Sequence, residues 1–418
     1  MRRTGRMKDT PRVKPVRKIE INENFSKWKI PLIIILFVGG ITLTVLAALK
    51  MVRVQPGWQT ISADGGMTDT CVYDFTLQYL LGETEQKTNE ENSAVAELYM
   101  TSAAQAHKIF SADTAYENVN NLYYLNHNAN QEVSLEPALY SALELMVKEG
   151  GRRLYLAPIY ENNRALLASL EDYEAEELDP TANQDTKAFY EETLPFVNDP
   201  EKVDLKLLGN NKVCLQVSND YLVYAGKMGI ENFVELDWLR NAFIIDYMAE
   251  EFIAAGHTNG ILVSYDGFTR NLDQTDRSYD VNLLCSGARV ATAQYQNVKS
   301  FVWLRDYPMS ELERLDFYAW EDGRVNHRYL DPADGLQKSV NSDFVGYSRS
   351  LGCAEVALKI APVYIAEGVS GQALAALPGE GVEYVLAGLK NVYVSDKTVT
   401  FLNLLNGEPI YEVPGNEE

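Results

Sequence analysis

The sequence predicts a mixed α+β fold in one domain, placed behind a single N-terminal transmembrane helix. A long uncharged apolar run occupies residues 30–49. After it, segments rich in aromatic and β-branched residues alternate with segments whose apolar residues recur every three or four positions, which are the patterns of strands and of helices. No repeat with a period of about 20 to 50 residues occurs in the chain, which argues against a solenoid or a propeller.

The N-terminal segment has the charge pattern of a membrane anchor. Residues 1–29 carry ten Lys or Arg residues against three acidic ones, a net charge of +7. Residues 30–49 (IPLIIILFVGGITLTVLAAL) are long enough to cross about 30 Å of hydrocarbon. By the positive-inside rule the basic arm lies in the cytoplasm and residues 54–418 lie outside. We therefore predict a single-pass protein of the cell membrane.

A cleaved signal peptide and a buried core helix are the alternatives for residues 30–49. A signal peptide has an apolar region of about 7 to 15 residues followed by a small-residue cleavage site. This run is longer and continues directly into Lys50, Met51, Val52 and Arg53. An uncleaved anchor is the interpretation that fits both features.

The predicted domain organisation follows from this anchor. Residues 1–29 form a basic cytoplasmic tail, 30–49 the transmembrane helix, 50–70 a stalk rich in Gly, Ser, Thr and Asp, and 71–418 the extracytoplasmic domain. With 418 residues, 46% of them hydrophobic, the chain can bury a large core.

Net charge limits the choice of partner. The whole chain carries a formal charge of −22, and because the arm is basic, the remainder is near −29. This charge argues against nucleic acid as a partner, because phosphate binding requires a basic face. An anionic ligand would need positive charge placed locally around it.

The first half of the outer region contains a predicted strand followed by two predicted helices. Residues 71–82 (CVYDFTLQYLLG) alternate and are rich in aromatic and β-branched residues, as in a strand. Residues 91–110 are alanine-rich with helical apolar spacing. Residues 135–150 form the second helix, because Pro137 suits a first turn and Gly150 an end.

Further along, an acidic stretch precedes a second group of elements. Residues 170–204 are strongly acidic and contain three prolines, so we interpret them as a solvated insertion, with an acidic binding surface as the alternative. Residues 212–226 (KVCLQVSNDYLVYAG) predict a hairpin. The remaining predictions are a helix at 240–256, a buried strand at 261–265 and a helix at 351–367.

The four cysteines do not indicate a metal site. Cys71, Cys214, Cys285 and Cys353 are widely separated and form no CxxC pair, so a zinc site has little support. Outside the membrane they could form disulfides, and they could equally be buried thiols. Both alternatives stay open at this point.

Short catalytic motifs are absent from the sequence. It contains no GxSxG elbow, no Walker loop, no HExxH and no GxGxxG, and its histidines are scattered. Three longer segments are more informative because of their order. They are RNAFIIDYMAEEFIAAGHTNGILVSYDGFTRNL at 240–272, DGRVNHRYLDPADG at 322–335 and SLGCAEVALKIAPVYIAEG at 350–368.

In this order and spacing, the segments resemble the FAD:protein FMN transferases of the ApbE type. Family members carry a helix reading GGIAKGYAVD, a strand followed by a Gly-Gly turn, a loop reading HHIxDPxTG and a helix reading ADALATALFVLG. The region upstream, residues 106–146, also resembles the two helices of that family and their link. The resemblance covers roughly residues 70–410 and implies a single ApbE-like domain behind the transmembrane helix.

The resemblance also implies a chemistry. The family cleaves the pyrophosphate of FAD and transfers the FMN phosphoryl group to a Thr or Ser of an extracytoplasmic partner protein. Such a transfer requires a divalent cation or equivalent positive charge on the phosphates and a group that accepts the hydroxyl proton. FAD and Mg²⁺ are therefore the implied cofactors, and a flavin nucleotide and a partner protein are the implied ligands.

Site residues follow from matching this sequence to the family motifs. The implied catalytic residues are Asp246, His327 and Asp331. The implied cofactor-binding positions are Trp238, Asn241, Asp266, Gly267, Arg328 and Lys359. The implied metal ligand is Glu355. Asp246 and the Asp331–Pro332 turn also have a purely structural interpretation, since an Asp-Pro pair before a glycine forms an ordinary turn.

Several of these positions depart from the family pattern. Asp237 and Trp238 stand where the family has paired glycines, and Asn241 stands where it has a lysine. Arg328 replaces the second histidine of the loop, and Lys359 replaces the threonine of the metal helix. Lys359 and Glu355 are four residues apart and could pair with each other. Alternatively, Lys359 and Arg328 could supply the positive charge that a metal gives elsewhere.

Three functional hypotheses result. The first is a membrane-anchored, non-catalytic relative of the FMN transferases that binds a nucleotide or a partner protein. The alternative is an active transferase that flavinylates a Thr or Ser of an extracytoplasmic redox protein. The third is an unrelated anchored binding or structural protein. The combination of Trp238, Asn241 and Lys359 favours the first.

Overall fold

The structure is a computed structural model. The structure describes residues 54–63, 68–84, 86–272, 278–285, 288–338, 343–387, 392–396 and 398–402. The predicted cytoplasmic tail and the predicted transmembrane helix at 30–49 lie outside the described residues. None of the described helices combines the length and the apolar character needed to span a membrane.

Strands run through the whole described region. In chain order they are β1 Gly57–Ile61, β2 Phe75–Leu81, β3 Glu132–Ser134, β4 Val203–Gly209, β5 Lys212–Val217, β6 Gly260–Ser264, β7 Phe268–Asn271, β8 Ser278–Cys285, β9 Ala288–Gln296, β10 Ser300–Arg305, β11 Phe317–Ala319, β12 Val325–His327, β13 Asp343–Ser348, β14 Glu383–Ala387, β15 Val392–Val394 and β16 Thr400–Leu402.

Helices cluster in the first two thirds of the chain. The α-helices are α1 Thr88–Ile109, α2 Leu122–Asn126, α3 Pro137–Glu149, α4 Ala157–Leu167, α5 Asp172–Leu178, α6 Gln184–Asn198, α7 Asn219–Met228, α8 Arg240–Ala254, α9 Cys353–Tyr364 and α10 Gly371–Ala376. Short 3-10 helices occur at Val72–Asp74, Gly151–Tyr155, Asp237–Leu239, Glu313–Asp316 and Leu377–Glu380.

One large antiparallel sheet organises the domain. Its strands follow the order β1-β2-β6-β7-β10-β13-β14-β15. Helix α8 contacts both α1 and α9, and each of these helices also contacts strands of the sheet. Strand β13 is buried along its whole length, as expected for a strand covered on both faces. Smaller sheets are formed by β3-β5-β4, by β16-β9-β8 and by the β11-β12 pair.

Most of the predicted elements are confirmed. The predicted strand at 71–82 corresponds to β2, whose side chains alternate between buried and exposed. The helices predicted at 91–110, 135–150, 240–256 and 351–367 correspond to α1, α3, α8 and α9. The buried strand predicted at 261–265 corresponds to β6. In each case a strong apolar periodicity specifies the element, so the observed ends differ from the predicted ends by only a few residues.

The hairpin predicted at 212–226 is wrong in its second half. Strand β5 pairs with the preceding strand β4 through Asn210 and Asn211, both of which have positive φ. The residues after β5 form helix α7, because Tyr221 and Ala225 lie four apart and are both buried. Gly229, with φ +74°, ends the helix in the left-handed conformation that glycine adopts without strain.

Two further segments differ from their predictions. The acidic stretch 170–204 is not merely a solvated insertion, because α5 and α6 bury Ala175, Tyr190 and Val197. The segment predicted as a stalk, 50–70, contributes strand β1 to the edge of the large sheet, paired with β2. The alternation in GWQTI is too short to indicate a strand, because small polar residues follow it.

Three of the four cysteines are free thiols in the structure. Cys71, Cys214 and Cys353 carry free thiols; those of Cys71 and Cys353 are buried, as in the buried-thiol alternative, and that of Cys214 is half-buried. Burial raises the pKa of the Cys71 thiol to about 12, and the thiol donates a hydrogen bond to the Ala103 carbonyl at 3.3 Å. The side chain of Cys285 lies outside the described residues.

Candidate functional site

A cavity of about 410 Å³ brings together several of the predicted site residues. It lies where the start of α8, the turn after β6 and the 3-10 helix Glu313–Asp316 meet. Its lining residues are Asp74, Phe110, Ala112, Asp113, Arg164, Leu167, Ala168, Glu235, Leu236, Asp237, Trp238, Arg240, Asn241, Tyr265, Asp266, Leu315, Asp316 and Arg328.

Trp238, Asn241, Asp266 and Arg328, all predicted to bind a cofactor, line this one cavity. Gly267 lies in the turn beside it. A Cβ atom on Gly267 would stand 2.4 Å from the Trp303 carbonyl oxygen, and its φ is +103°, so this position requires glycine. The turn thereby directs Asp266 into the wall of the cavity, where it is buried.

Asp266 is held by a network of donors. Its Oδ2 accepts hydrogen bonds from Asn241 Nδ2 at 3.0 Å and from Arg328 Nη1 at 3.1 Å. Its Oδ1 accepts one from the Ser264 hydroxyl at 2.5 Å. Arg328 also forms an ion pair with Asp316 at 3.2 Å, so two carboxylates share its charge. Arg328 therefore has no unneutralised charge to offer a phosphate.

A second arginine of the cavity is engaged in the same way. Arg164 contacts Glu235 at 2.5 Å and Asp237 at 2.7 Å. Asp237 has φ +46°, a left-handed conformation that favours glycine, and the resemblance places a family glycine at this position. A carboxylic side chain therefore projects from a backbone conformation that suits glycine.

Trp238, at the second glycine position, packs rather than faces solvent. Its ring is buried and meets the Tyr329 ring edge-on at 5.2 Å. The Trp238 side chain therefore forms an aromatic wall at a position where the resemblance implies a glycine. The third cavity arginine, Arg240, contacts His107 Nδ1 through Nη2 at 3.1 Å.

Burial changes the protonation of the cavity carboxylates. It raises the pKa of both Asp74 and Asp316 to about 6, against the opposing charges of Arg240 and Arg328. Burial also raises the pKa of Glu235 to about 7, although Arg164 opposes this. These groups titrate near neutral pH because a partly dry cavity disfavours their charged forms.

The residues predicted as catalytic do not line this cavity. Asp246 caps helix α9, because its two carboxylate oxygens accept hydrogen bonds from the Cys353 and Ala354 N–H groups, each at 2.9 Å. It also pairs with Arg270 at 3.3 Å. A carboxylate at a helix N-terminus is stabilised by the helix dipole. This arrangement accounts for Asp246 without a catalytic role, which stays a prediction.

His327 and Asp331 are likewise engaged internally. His327 is buried, and its Nδ1 accepts a hydrogen bond from the Tyr329 N–H at 3.2 Å. Asp331 pairs with Lys338 at 2.9 Å and accepts a hydrogen bond from the Ala333 N–H at 2.9 Å. Gly335 closes this turn with φ +70°. The turn interpretation of 331–335 therefore matches the observed contacts.

The metal-helix positions do not form a magnesium site. Lys359 pairs with Glu149 at 3.5 Å and with Glu380 at 3.2 Å, rather than with Glu355 as the sequence had suggested. Within the described part of the chain, no group of three or more His, Cys, Asp or Glu residues is arranged to hold a metal ion. The Lys359 ammonium group stands at the position where the resemblance implies a metal ligand, so the residues present there do not fit Mg²⁺.

Sequence reasoning missed several cavity residues. Arg164, Glu235 and Asp316 lie outside the segments that resemble the family motifs, and nothing in their local sequence distinguishes them from surface charges. The only signal was the family-glycine position at Asp237, which pointed to this part of the chain without naming its partners. Their proximity depends on contacts between distant elements, such as the Arg164–Glu235 pair.

The fold is similar to that of solved ApbE structures. No protein-family model and no curated protein matches the sequence. The ApbE protein of Thermotoga maritima superposes with a TM-score of 0.53 at 12% identity, over 79% of this chain and 94% of its own. The flavin transferase ApbE of Vibrio cholerae (TM-score 0.49, 9% identity, 83% and 96% coverage) and the Pseudomonas stutzeri flavinyl transferase ApbE (0.47, 12%, 83% and 93%) are more distant. On the first of these, the predicted mixed α+β, ApbE-like fold is confirmed.

Proposed function

We propose that this protein is a membrane-anchored, extracytoplasmic ApbE-like binding protein that does not transfer FMN. It is, on this proposal, a non-catalytic relative of the FAD:protein FMN transferases. One observation carries the proposal: the cations at the implied phosphate positions are already neutralised by protein carboxylates. Lys359 is held by Glu149 and Glu380, and Arg328 by Asp266 and Asp316.

Phosphoryl transfer from FAD would require the positive charges of Lys359 and Arg328 to be available to the phosphate groups. The pyrophosphate and the developing charge of the reaction must be neutralised by a metal ion or by free cationic side chains. Placing Mg²⁺ about 4 Å from the Lys359 ammonium would cost roughly 8 kcal/mol at an effective dielectric constant of about 20, before screening. The neighbouring carboxylates reduce this cost, but they are the same groups that hold the lysine.

The candidate proton acceptors support the same proposal. Each oxygen of Asp246 accepts a backbone hydrogen bond from α9, and His327 is buried away from the cavity lining. A general base must reach the hydroxyl group whose proton it takes. Neither residue is placed to do so at the cavity without a rearrangement of the core.

The test is a direct transfer assay. The purified full-length protein is incubated with FAD, Mg²⁺ and an acceptor domain that carries the Thr-containing target sequence of the family. We expect no flavin fluorescence on the acceptor in a denaturing gel. The Vibrio cholerae flavin transferase, assayed in parallel, shows that the acceptor is competent. Magnesium-dependent fluorescence with the native protein would overturn the proposal and favour the active transferase.

A further inference from the structure

We propose that the cavity beside Trp238 binds a cationic group, the ammonium or guanidinium of a Lys or Arg side chain on a partner polypeptide. This inference rests on the proposed binding function and specifies the ligand of that same cavity. It differs from the family's ligand in the sign of its charge, since FAD carries an anionic pyrophosphate.

The charge of the cavity lining is the first argument. Six carboxylate residues and three arginines line it, and this excess of three negative charges is complete once Asp74, Asp316 and Glu235, whose pKa values are raised to about 6 or 7, have ionised. Two of the arginines are each shared by two carboxylates, so they add no net attraction for an anion. Cavity walls of low dielectric constant strengthen the remaining field. A pyrophosphate entering this space would be repelled, whereas a cation would be attracted.

The geometry favours an organic cation over a metal ion. Among the described residues, no group of acidic or histidine side chains converges to ligate a metal. The cavity carboxylates come from separate elements, with Asp74 directly before β2, Asp113 after α1 and Asp316 directly before β11. An ammonium or guanidinium group can satisfy such dispersed acceptors through its several N–H donors.

Exposed apolar side chains beside the cavity indicate a polypeptide rather than a free small molecule. Leu315 lines the cavity and is 69% exposed. Leu170, two residues beyond the lining residue Ala168, is 88% exposed. Exposed large apolar side chains grouped at one place mark protein contact surfaces. A partner segment with a basic residue between apolar neighbours complements both the rim and the interior.

The test measures binding of matched peptides to the full-length protein in detergent at low ionic strength. The probes are a labelled nonapeptide with the sequence Gly-Ser-Gly-Leu-Arg-Leu-Gly-Ser-Gly and its analogue with neutral citrulline in place of arginine. FAD is the anionic competitor. We expect the arginine peptide to bind at least about tenfold more tightly than the citrulline peptide, because only the former forms charged pairs. FAD should not displace it.

Two double variants separate the cavity from the general acidity of the protein. Asp113→Asn with Asp316→Asn should remove most of the preference for arginine. Glu311→Gln with Asp322→Asn changes the net charge equally at exposed positions outside the cavity lining and should keep that preference. Asp113→Asn alone, at an exposed position, gives a variant that should fold normally.

Equal binding or no binding of the two peptides would overturn the inference, as would an equal loss in the exposed-site control. Displacement by FAD would instead assign the cavity to a nucleotide. These outcomes are independent of the transfer assay, because binding of a cation is read without any covalent flavin. A positive transfer assay with a retained arginine preference would refute only the non-catalytic proposal.

Discussion

Two residues predicted as catalytic, Asp246 and His327, each have internal partners in the structure. Asp246 caps α9, and the packing around it is close. A Cβ atom on Gly352 would lie 2.5 Å from Asp246 Oδ2, so the approach of the helix terminus to the carboxylate requires glycine. A residue kept for such a cap looks, in sequence alone, the same as one kept for chemistry. The contacts supply the physical distinction.

His327 should make the protein sensitive to acid. Burial, with a further contribution from Arg328, lowers its pKa from 6.5 to about 4. Since the unfolded chain binds the proton more readily, folding stability is lost as the pH falls from about 6.5 towards 4. By linkage the loss reaches about 3 kcal/mol for this group. We expect His327→Asn, which keeps a neutral acceptor for the Tyr329 N–H, to remove this part of the pH dependence.

Chemical denaturation of wild type and variant at pH 7 and pH 4.5 checks this expectation. His127→Asn is the matched control, because it makes the same substitution at an exposed histidine instead of the buried one. An identical pH dependence in wild type and His327→Asn would show that His327 is not the group that titrates.

At the scale of elements, helix α9 shows how tertiary partners redirect a local pair. Glu355 and Lys359 are four residues apart in the order that favours an ion pair within a helix. Lys359 instead reaches Glu149 at the end of α3 and Glu380 in the 3-10 helix Leu377–Glu380. Its ammonium group thereby links three elements, which an intrahelical pair could not do.

Replacing Lys359 should expose a cation site. In Lys359→Thr the carboxylates of Glu149 and Glu380 lose their shared ammonium, and a hydroxyl ligand appears at the family position. We expect Mg²⁺ binding to appear in the millimolar range, typical of weak carboxylate sites, and to strengthen with the added Glu355→Asp change. Isothermal titration calorimetry of the full-length protein measures it. Lys187→Thr, at an exposed position, is the control.

Absence of magnesium binding in both Lys359 variants, with normal folding, would mean that the family's metal position is not recoverable here. Equal binding in wild type and Lys359→Thr would refute the idea that the ammonium group excludes the ion. The two outcomes differ in whether the wild-type protein responds to Mg²⁺.

At the scale of the whole molecule, charge is strongly asymmetric along the chain. The basic arm at 1–29 precedes the apolar run, and the acidic remainder follows it. By the positive-inside rule this asymmetry predicts one membrane crossing at 30–49 with the main domain outside. Protease added to intact cells should therefore degrade the domain while leaving an N-terminal epitope tag intact.

The control for this experiment is a variant in which the charge asymmetry is reversed. Neutral replacement of the basic residues in 1–29, with lysines added after residue 53, should weaken or invert the orientation. Full protection of the wild-type domain from external protease would contradict the predicted topology, provided that permeabilised cells show the domain to be cleavable.

The sequence by itself determined the main elements of the fold. Helices α1, α3, α8 and α9 and strands β2 and β6 were predictable because apolar periodicity is a local property that survives any tertiary arrangement. The order of weak motifs was enough to predict an ApbE-like fold. Prediction failed at α7 and at β1, where short segments take their conformation from the partners against which they pack.

Only the tertiary structure decided what the site residues contact. Trp238, Asn241, Asp266 and Arg328 were predicted and do share a cavity, yet their carboxylate and arginine partners could not be read from the sequence. The reason is physical. Whether a charge is free to bind a ligand depends on which opposite charge lies within a few ångströms, and for Arg328 and Lys359 those neighbours come from other elements of the fold.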